Sequence, residues 1–174
     1  MNFDNKLISG VLIKRYKRFF VDVRVNDTIV TAHCPNTGSM QGLLKVNNKV
    51  WLSKAINPNR KLKYTLQIIE VNGVKVGVNT HFTNKIVLNA LENNLIKEFD
   101  RDIDIKPEVK FNDNTRFDFL ITKKGYKAFL EVKNVTLSRK PKTAEFPDSI
   151  TTRGAKHINE LLNASKKNYK VFIM

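Results

Sequence analysis

The sequence predicts a two-domain α+β protein, with a small β-barrel over residues 1–80 and an α/β domain over residues 81–174. Six short segments rich in β-branched residues fill the first part, and a helix, three strands, a helix and a strand follow in the second. The chain of 174 residues is also long enough for two modest cores, each of about 80 to 95 residues.

The first domain is predicted to be a meander of strands that closes into an OB-like barrel. The predicted strands are Leu7–Lys14, Phe19–Val25, Ile29–Cys34, Val50–Ala55, Tyr64–Glu70 and Val74–Asn79. Asn26-Asp27 and Asn72-Gly73 predict tight hairpins. Pro35–Met40 is a turn by composition, in which Gly38 allows a left-handed backbone and successive amides that would cradle an anion; a plain loop is an equal alternative.

Two basic stretches flank the predicted barrel and are candidates for phosphate contact. The candidate residues are Lys14, Arg15, Tyr16, Lys17 and Arg18 in the first stretch, and Arg60, Lys61 and Lys63 in the loop 57–63. Aromatic rings among cations allow base stacking as well as phosphate contact. Tyr16 is left open between stacking and core packing, whereas Phe19 is expected to pack in the core.

The formal net charge of +15 indicates a polyanionic partner. Residues 1–80 carry 13 basic and 4 acidic side chains, a net +9, whereas residues 81–174 carry 18 and 12, a net +6. The sequence therefore predicts DNA as the partner, bound through its backbone without sequence preference. A membrane surface is the weaker alternative, because no basic amphipathic helix is evident. The single cysteine, Cys34, excludes an internal disulfide, suits a reducing cytoplasm and is expected to be buried or at a turn edge.

The second domain is predicted to begin with a helix, since Leu88, Leu91, Leu95 and Phe99 recur at helical spacing. The elements predicted after it are the strands Pro107–Phe111, Arg116–Ile121 and Lys127–Lys133, a helix from Thr151 or Thr152 to about Asn168, and the start of a strand at Lys170–Met174. A turn at Lys123–Gly125 joins the second strand to the third and makes them a hairpin.

Asp118 and Glu131 are the candidate ligands of a divalent cation. Side chains alternate along a strand, so Glu131 and Lys133 share a face while Leu130 and Val132 point into the core, and the hairpin sets Asp118 beside them. Two carboxylates suit a hard cation such as Mg²⁺ or Mn²⁺. The alternative is an exposed hairpin whose charges are solvated or form a weak surface ion pair.

Two further residues complete the candidate site. Lys133 would orient the attacking water or stabilise the reacting phosphorus, and Glu108 is a candidate third acid. Together these residue types in this order are those of a site for phosphodiester hydrolysis.

The second predicted helix carries a polar stripe. Arg153, Lys156, His157 and Glu160 fall at i, i+3, i+4 and i+7 and are candidates to face DNA phosphate, while the residues expected to turn inward are Ile158, Leu161 and Leu162. An ordinary solvated helix face is an equal alternative. His157 is expected to bind phosphate or to transfer a proton rather than to bind metal, because no second His or Cys lies at ligand spacing.

The order of elements over about Asn84–Met174 resembles the core of the PD-(D/E)XK nuclease superfamily, in which the acidic pair and the lysine sit on the second and third strands. Over its whole length the chain also resembles the sugar fermentation stimulation protein A family. The motifs that carry this resemblance are Lys14–Phe19, His33–Met40, Arg116–Asp118, Glu131–Leu137, Phe146–Asp148 and Arg153–His157.

The family resemblance implies a DNA-binding protein with an OB-type barrel and a PD-(D/E)XK domain, linked to the regulation of sugar-utilisation genes. Members of the family look longer, so either the α/β domain is truncated at its C-terminus or the C-terminal layer of the family is dispensable here. Two hypotheses about function follow. Either the protein is a Mg²⁺-dependent nuclease, or it is a non-catalytic DNA-binding regulator whose nuclease fold is only a platform.

Overall fold

The computed structural model describes residue 3 and residues 5–99, 102–140 and 142–174. By their contacts the residues divide into two units. One unit takes the chain as far as Phe82 together with Asn134–Ser149, and the other takes Thr83–Lys133 and Ile150–Met174. The predicted domains divide the chain once, after residue 80, and so leave Asn134–Ser149 out of the first domain. The assignment of domains stays a prediction.

The first unit contains a closed five-stranded barrel, which confirms the predicted OB-like fold. Its strands are β1 (Ile8–Tyr16), β2 (Phe20–Val25), β3 (Thr28–His33), β4 (Lys49–Lys54) and β5 (Tyr64–Val71), with β6 (Val74–Gly77) added at the edge. The order is β3-β2-β1-β4-β5-β6, and a parallel pairing of β3 with β5 closes the barrel. Its core is aliphatic and includes Leu12, Val21, Val23, Leu52, Leu66 and Ile69.

Both predicted hairpins of the barrel are present. The two-residue turn Asn26-Asp27 joins β2 to β3, and Asn72-Gly73 joins β5 to β6. Asn26 and Asn72 each have φ of 51°, and Gly73 has φ of 78°. These residue types adopt the left-handed backbone at low cost, which is why the turns could be predicted from sequence.

The second unit is an α/β domain with the predicted order of elements. The elements are α1 (Thr83–Glu92), β7 (Asp104–Asn112), β8 (Thr115–Lys123), β9 (Tyr126–Glu131), α2 (Thr152–Lys166) and β10 (Lys170–Ile173). The sheet order is β10-β9-β8-β7; β7, β8 and β9 are antiparallel, and β10 runs parallel to β9. Pro107 lies in the edge strand β7, where a residue without an N–H leaves the hydrogen bonds between the inner strands intact.

The two helices of this unit pack against opposite faces of the sheet. Phe129 and Leu130 are successive residues of β9 and therefore point to opposite faces. Leu130 packs in a cluster with Leu91 of α1, and Phe129 packs in a cluster with Leu161 of α2. Among the described residues, no helix is long and apolar enough to cross a membrane.

The first helix ends earlier than its apolar spacing predicted. Asn94 takes a left-handed φ of 53°, and the Leu95 N–H donates to the carbonyl of Ala90 at 2.9 Å, which terminates the helix. Leu95 is 70% exposed and does not belong to the core. Phe99 is buried, but it lies beyond the helix and packs edge-on against Phe172 at 4.9 Å between ring centroids.

Candidate functional site

Asp118 and Glu131 lie at adjoining positions of β8 and β9. The last registered pair of these strands is Phe119 with Leu130, so the next residues outward are the two acids. The Oδ2 atom of Asp118 accepts the backbone N–H of Val132 at 2.7 Å. The hairpin therefore brings the two predicted carboxylates together and ties one of them to the backbone beside the other.

Asn84, near the start of α1, is a member of the site that sequence reasoning missed. Its side-chain amide donates to Asp118 Oδ1 at 2.7 Å, so each oxygen of Asp118 accepts one hydrogen bond. An asparagine 34 residues before the acid gives no spacing signal. The residue could be found only once the packing of α1 against the sheet was known.

Glu131 is a buried carboxylate, only 3% exposed, so the alternative of an exposed hairpin with solvated charges is wrong. Lys133 Nζ and His157 Nδ1 both contact its Oε1 atom. A carboxylate oxygen accepts, so His157 Nδ1 carries the proton in this contact. Within the part of the chain that the structure describes, the Oε2 atom of Glu131 is buried and has no hydrogen-bond partner.

His157 lies on the buried face of α2. Gly154, His157, Leu161 and Ala164 follow one another at helical spacing, and the other three residues of this stripe are buried. The prediction that Ile158 and Leu162 turn inward is wrong, because they are 47% and 55% exposed. The sheet contacts a narrower stripe than the apolar residues alone indicated.

The first turn of α2 is held by a side-chain cap, as predicted. Thr151 Oγ1 accepts the N–H of Gly154 at 3.1 Å. A Cβ added at Gly154 would lie 2.7 Å from Thr151 Cγ2, so only glycine fits beside the cap. The cap and the glycine together place His157 one turn into a fixed helix.

The other predicted residues of α2 reach the β7–β8 hairpin or solvent. Lys156 Nζ donates to the carbonyl of Asn114 at 3.0 Å, and Glu160 Oε2 accepts from the amide of Asn112 at 2.8 Å. Arg153 is exposed. Among the residues of the predicted polar stripe, His157 is the one that contacts Glu131 in the part of the chain that the structure describes.

Glu108 lies opposite Asp118 in the register of β7 and β8, between the pairs Pro107–Phe119 and Val109–Phe117. It is exposed and has a left-handed φ of 52°. Among the described residues, no three His, Cys, Asp or Glu side chains gather as a metal-binding group. The oxygen donors that the structure brings together are those of Asp118 and Glu131.

In the barrel, the first predicted basic stretch covers the end of β1, as far as Tyr16, and the turn between β1 and β2. Lys17 and Arg18 are exposed, with left-handed φ values of 48° and 62°. The prediction that Phe19 packs in the core is wrong: it lies in the turn and is 47% exposed. Tyr16 stacks on Phe20, with ring centroids 5.5 Å apart and planes 14° apart.

Two cations of this stretch already have partners in the barrel. Lys14 Nζ lies 3.8 Å from Asp22 Oδ2. Arg15 donates to the carbonyl of Asn36 at 2.8 Å and to the carbonyl of Arg18 at 3.1 Å. Arg15 thus helps to hold the turn in shape, and Lys17 and Arg18 are the cations that the turn presents.

The second basic stretch lies at the same end of the barrel. His33, the last residue of β3, pairs with Phe20 after the β1–β2 turn and with Thr65 after the β4–β5 loop. That loop contains Arg60, the exposed Lys61, and Lys63, whose Nζ donates to the carbonyl of Pro58. Closure of the barrel therefore brings both predicted basic stretches together.

The pKa of His33 is lowered from its ordinary value of 6.5. Burial is the largest cause, and the positive charges of Arg60 and His81 add to it. Arg60 and His81 therefore lie close to His33 at this end of the barrel. A phosphate placed there would be attracted by the charge of Arg60.

The loop Pro35–Met40 binds a carboxylate of the chain itself. Met40 donates its N–H to Asp148 Oδ2 at 2.8 Å, and Ser39 Oγ donates to the Asp148 carbonyl at 3.2 Å. Gly38 does not take the predicted left-handed backbone; Met40 does, with φ of 54°. Cys34 beside this loop is buried as predicted, and burial raises its pKa.

The chain is thus a two-part protein in which an OB barrel is followed by an α/β domain that carries Asp118 and the buried Glu131 side by side. The matching family models are "SfsA N-terminal OB domain" over residues 13–78 and "Sugar fermentation stimulation protein RE domain" over residues 81–174. The chain belongs to the sugar fermentation stimulation protein family, which confirms the resemblance seen in its motifs.

Individual relatives agree with this assignment. A sugar fermentation stimulation protein homolog of Pelagibacter ubique (strain HTCC1062) is 59% identical over 174 residues, which cover 100% of this chain and 75% of that protein. A homolog from Synechocystis sp. (strain ATCC 27184 / PCC 6803 / Kazusa) is 49% identical over 90% of this chain and 68% of its own length. The solved structure of Pyrococcus furiosus SfsA in complex with Ca²⁺ is similar, with a TM-score of 0.87 and 25% identity over 99% of this chain and 73% of that one.

Proposed function

We propose that this chain is a DNA-binding protein whose α/β domain holds a divalent cation at Asp118 and Glu131 and hydrolyses the phosphodiester backbone. The observation that carries the proposal is the Oε2 atom of Glu131, which is buried and has no donor among the described residues. Glu131 and Asp118 are the next residues beyond the last registered pair of β8 and β9. A buried carboxylate oxygen without a partner is costly. A cation bound at this oxygen would remove that cost.

The donor set fits a hard cation. Asp118 and Glu131 offer oxygen atoms only, the ligands that Mg²⁺, Mn²⁺ and Ca²⁺ prefer, and Mg²⁺ commonly uses one or two carboxylates and keeps several waters. Pyrococcus furiosus SfsA, the solved structure similar to this chain, is in complex with Ca²⁺. That complex supports a cation as the cofactor here as well.

The residues around Asp118 and Glu131 have different roles in the proposed reaction. When bound, Mg²⁺ or Mn²⁺ would supply Lewis-acid activation of the phosphate and its attacking water. Asn84 and the Val132 N–H hold Asp118 in one orientation, which prepares its oxygens for binding. Lys133 holds its ammonium group against Glu131, where it would stabilise negative charge that develops on the phosphate oxygens.

In this proposal the barrel binds the phosphate backbone of DNA. Lys17 and Arg18 in the β1–β2 turn and Lys61 in the β4–β5 loop are exposed at one barrel end, near Arg60 and His33. Phosphate contacts of this kind do not distinguish sequences. The exposed Phe19 and the Tyr16 ring provide flat surfaces on which an unpaired base would stack.

A second candidate function is DNA binding without catalysis. The observation that favours it is the double contact of Glu131 with Lys133 and His157, which already compensates the buried charge in the absence of a cation. In that case the cluster stabilises the fold and the protein acts as a regulator of sugar-utilisation genes.

The test is incubation with duplex, single-stranded and branched DNA, with and without Mg²⁺ or Mn²⁺. The proposal expects metal-dependent cleavage of at least one form by the native chain and none by Asp118→Asn. Asp104→Asn, which changes an exposed acid at the far end of β7, is the matched control and should cleave normally. DNA binding with no cleavage of any form under metal would favour the regulator.

A further inference from the structure

We propose that His157 is the positioning residue that turns Glu131 toward the cation. This inference rests on the proposed function. It gives His157 a task different from phosphate binding or proton transfer, since the imidazole acts through the carboxylate and not on DNA.

The first argument is the position of His157 within α2. It shares a stripe with Gly154, Leu161 and Ala164, the residues that pack this helix in the fold. An imidazole on that stripe points at the sheet and not along the solvent face. Its side chain is 14% exposed, and its Nδ1 atom reaches the Oε1 atom of Glu131.

The second argument is the unequal use of the two oxygens of Glu131. Lys133 Nζ and His157 Nδ1 converge on Oε1, while Oε2 has no partner among the described residues. Holding one oxygen of a carboxylate fixes rotation about the last side-chain bond. The other oxygen is then presented in one direction, which is the role that hydrogen-bonded partners of ligating carboxylates commonly play.

The third argument separates the tasks of His157 and Lys133. Imidazole has two side-chain torsions and stands on a capped helix, whereas the lysine has four and follows the end of β9. The histidine is therefore the more rigid donor. With His157 holding Oε1, Lys133 is able to leave Glu131 for a phosphate oxygen without releasing the carboxylate.

The test compares two isosteric replacements. The amide of Asn matches the place of Nδ1, and that of Gln matches the place of Nε2, so only His157→Asn retains the donor that contacts Glu131. Binding of Mn²⁺ is followed by loss of the free Mn²⁺ signal in electron paramagnetic resonance. His157→Gln should weaken Mn²⁺ binding by about 10–100-fold, His157→Asn should bind close to native, and Asn159→Ala on the exposed face should be unchanged.

DNA binding in EDTA provides the second readout, and all three variants should match the native chain. Equal Mn²⁺ affinity for His157→Gln and the native chain would overturn the positioning role. So would weaker DNA binding in EDTA with unchanged Mn²⁺ affinity, which would make His157 a phosphate ligand. If the native chain itself binds no Mn²⁺, the proposed function fails first, and this inference fails with it.

Discussion

Asp118 Oδ2 accepts the backbone N–H of Val132 at 2.7 Å, so the candidate ligand on one strand is fastened to the main chain of the next. The β8–β9 ladder ends at Phe119 and Leu130, and the Asp118 side chain continues it by one bond. The acid is thereby part of the sheet as well as part of the site. Changes at Asp118 must preserve an acceptor oxygen if the fold is to be left intact, which is why Asn is the replacement of choice.

The first prediction concerns the stability that a cation confers. A ligand that binds only the folded state stabilises it, by about 2.7 kcal/mol at a concentration of 100 times Kd. The Tm of the native chain should therefore rise when EDTA is replaced by Mg²⁺ or Ca²⁺. Glu131→Gln should lose that rise, because the amide presents no charged oxygen to the cation; differential scanning calorimetry measures both.

The matched control for this measurement is Glu98→Gln, an exposed acid outside the site. Its Tm should rise with the cation as much as that of the native chain. Identical melting curves of the native chain in EDTA and in Mg²⁺ or Ca²⁺ would show that the acidic pair holds no cation.

The second prediction separates Lys133 from the ligands. Lys133→Ala should lower the Tm in EDTA, because the buried Glu131 loses one of its two donors. The Tm rise with Mg²⁺ should survive, since the removed group has no ligand atom and its charge opposes a cation. Cleavage should fall by orders of magnitude, because the charge acts mainly in the transition state.

Lys133→Arg keeps the positive charge and serves as the comparison for this variant. Its melting behaviour in EDTA should stay closer to native than that of Lys133→Ala. A Lys133→Ala chain that cleaves at the native rate would remove Lys133 from the mechanism.

The third prediction concerns the barrel turn. Neutralising Lys17 and Arg18 to Gln should weaken binding of all DNA sequences alike, and the slope of log affinity against log salt should flatten by about one unit per lost contact. Fluorescence anisotropy over a series of salt concentrations measures this. Lys45→Gln, an exposed barrel lysine outside the two basic stretches, should show the smaller effect. A loss confined to one sequence would contradict backbone contact.

The fourth prediction is a pH dependence at His33. Its pKa is lowered in the folded chain, so the unfolded chain binds the proton more readily. The stability that neutral His33 contributes is present above pH 6.5 and is lost as the pH falls through the lowered pKa. Denaturation at a series of pH values should show this loss, and His33→Gln should remove it.

Titration of the His33 ring by NMR tests the same group directly. Arg60→Gln should raise the pKa of His33, because one of the neighbouring positive charges is gone. A bound oligonucleotide should also raise it if phosphate lies against Arg60. If neither Arg60→Gln nor a bound oligonucleotide changes the titration midpoint of His33, the DNA does not bind at this end of the barrel.

The sequence predicted the architecture because its signals are local. Alternation in the strands and the Asn-Gly type turns are read within a few residues, and the Thr151 cap lies directly before its helix. The acidic pair was also predictable, since the two strands that carry it form one hairpin. Asp118 needed only the turn at Gly125 to be placed beside Glu131.

The features that the sequence did not predict depend on packing between distant segments. Asn84 meets Asp118 because α1 lies on the sheet, and His157 meets Glu131 because it shares the buried stripe of α2. The end of α1 was misplaced because Asn94 terminates the helix while the apolar spacing continues to Phe99. Contacts between side chains that are far apart in the sequence produce no periodic pattern in it.

The fifth prediction follows from another contact of long range, between Asp148 and Met40, 108 residues apart. Asp148→Ala should destabilise the chain by about 1–3 kcal/mol, because a backbone N–H in the buried Met40 segment loses its acceptor. Asp148→Asn retains an acceptor oxygen and should cost less. Urea denaturation measures both, and equal costs for the two variants would contradict a role for the hydrogen bond.

The most direct test of the cation site is a crystal structure of the native chain grown with Mn²⁺, with data collected for anomalous scattering. The account predicts an anomalous peak within about 2.0–2.6 Å of a carboxylate oxygen of Asp118 and of Glu131 Oε2. The peak should be absent from crystals of Asp118→Asn grown in the same way. A native structure with no peak between the two acids, at Mn²⁺ concentrations where DNA is cleaved, would contradict it.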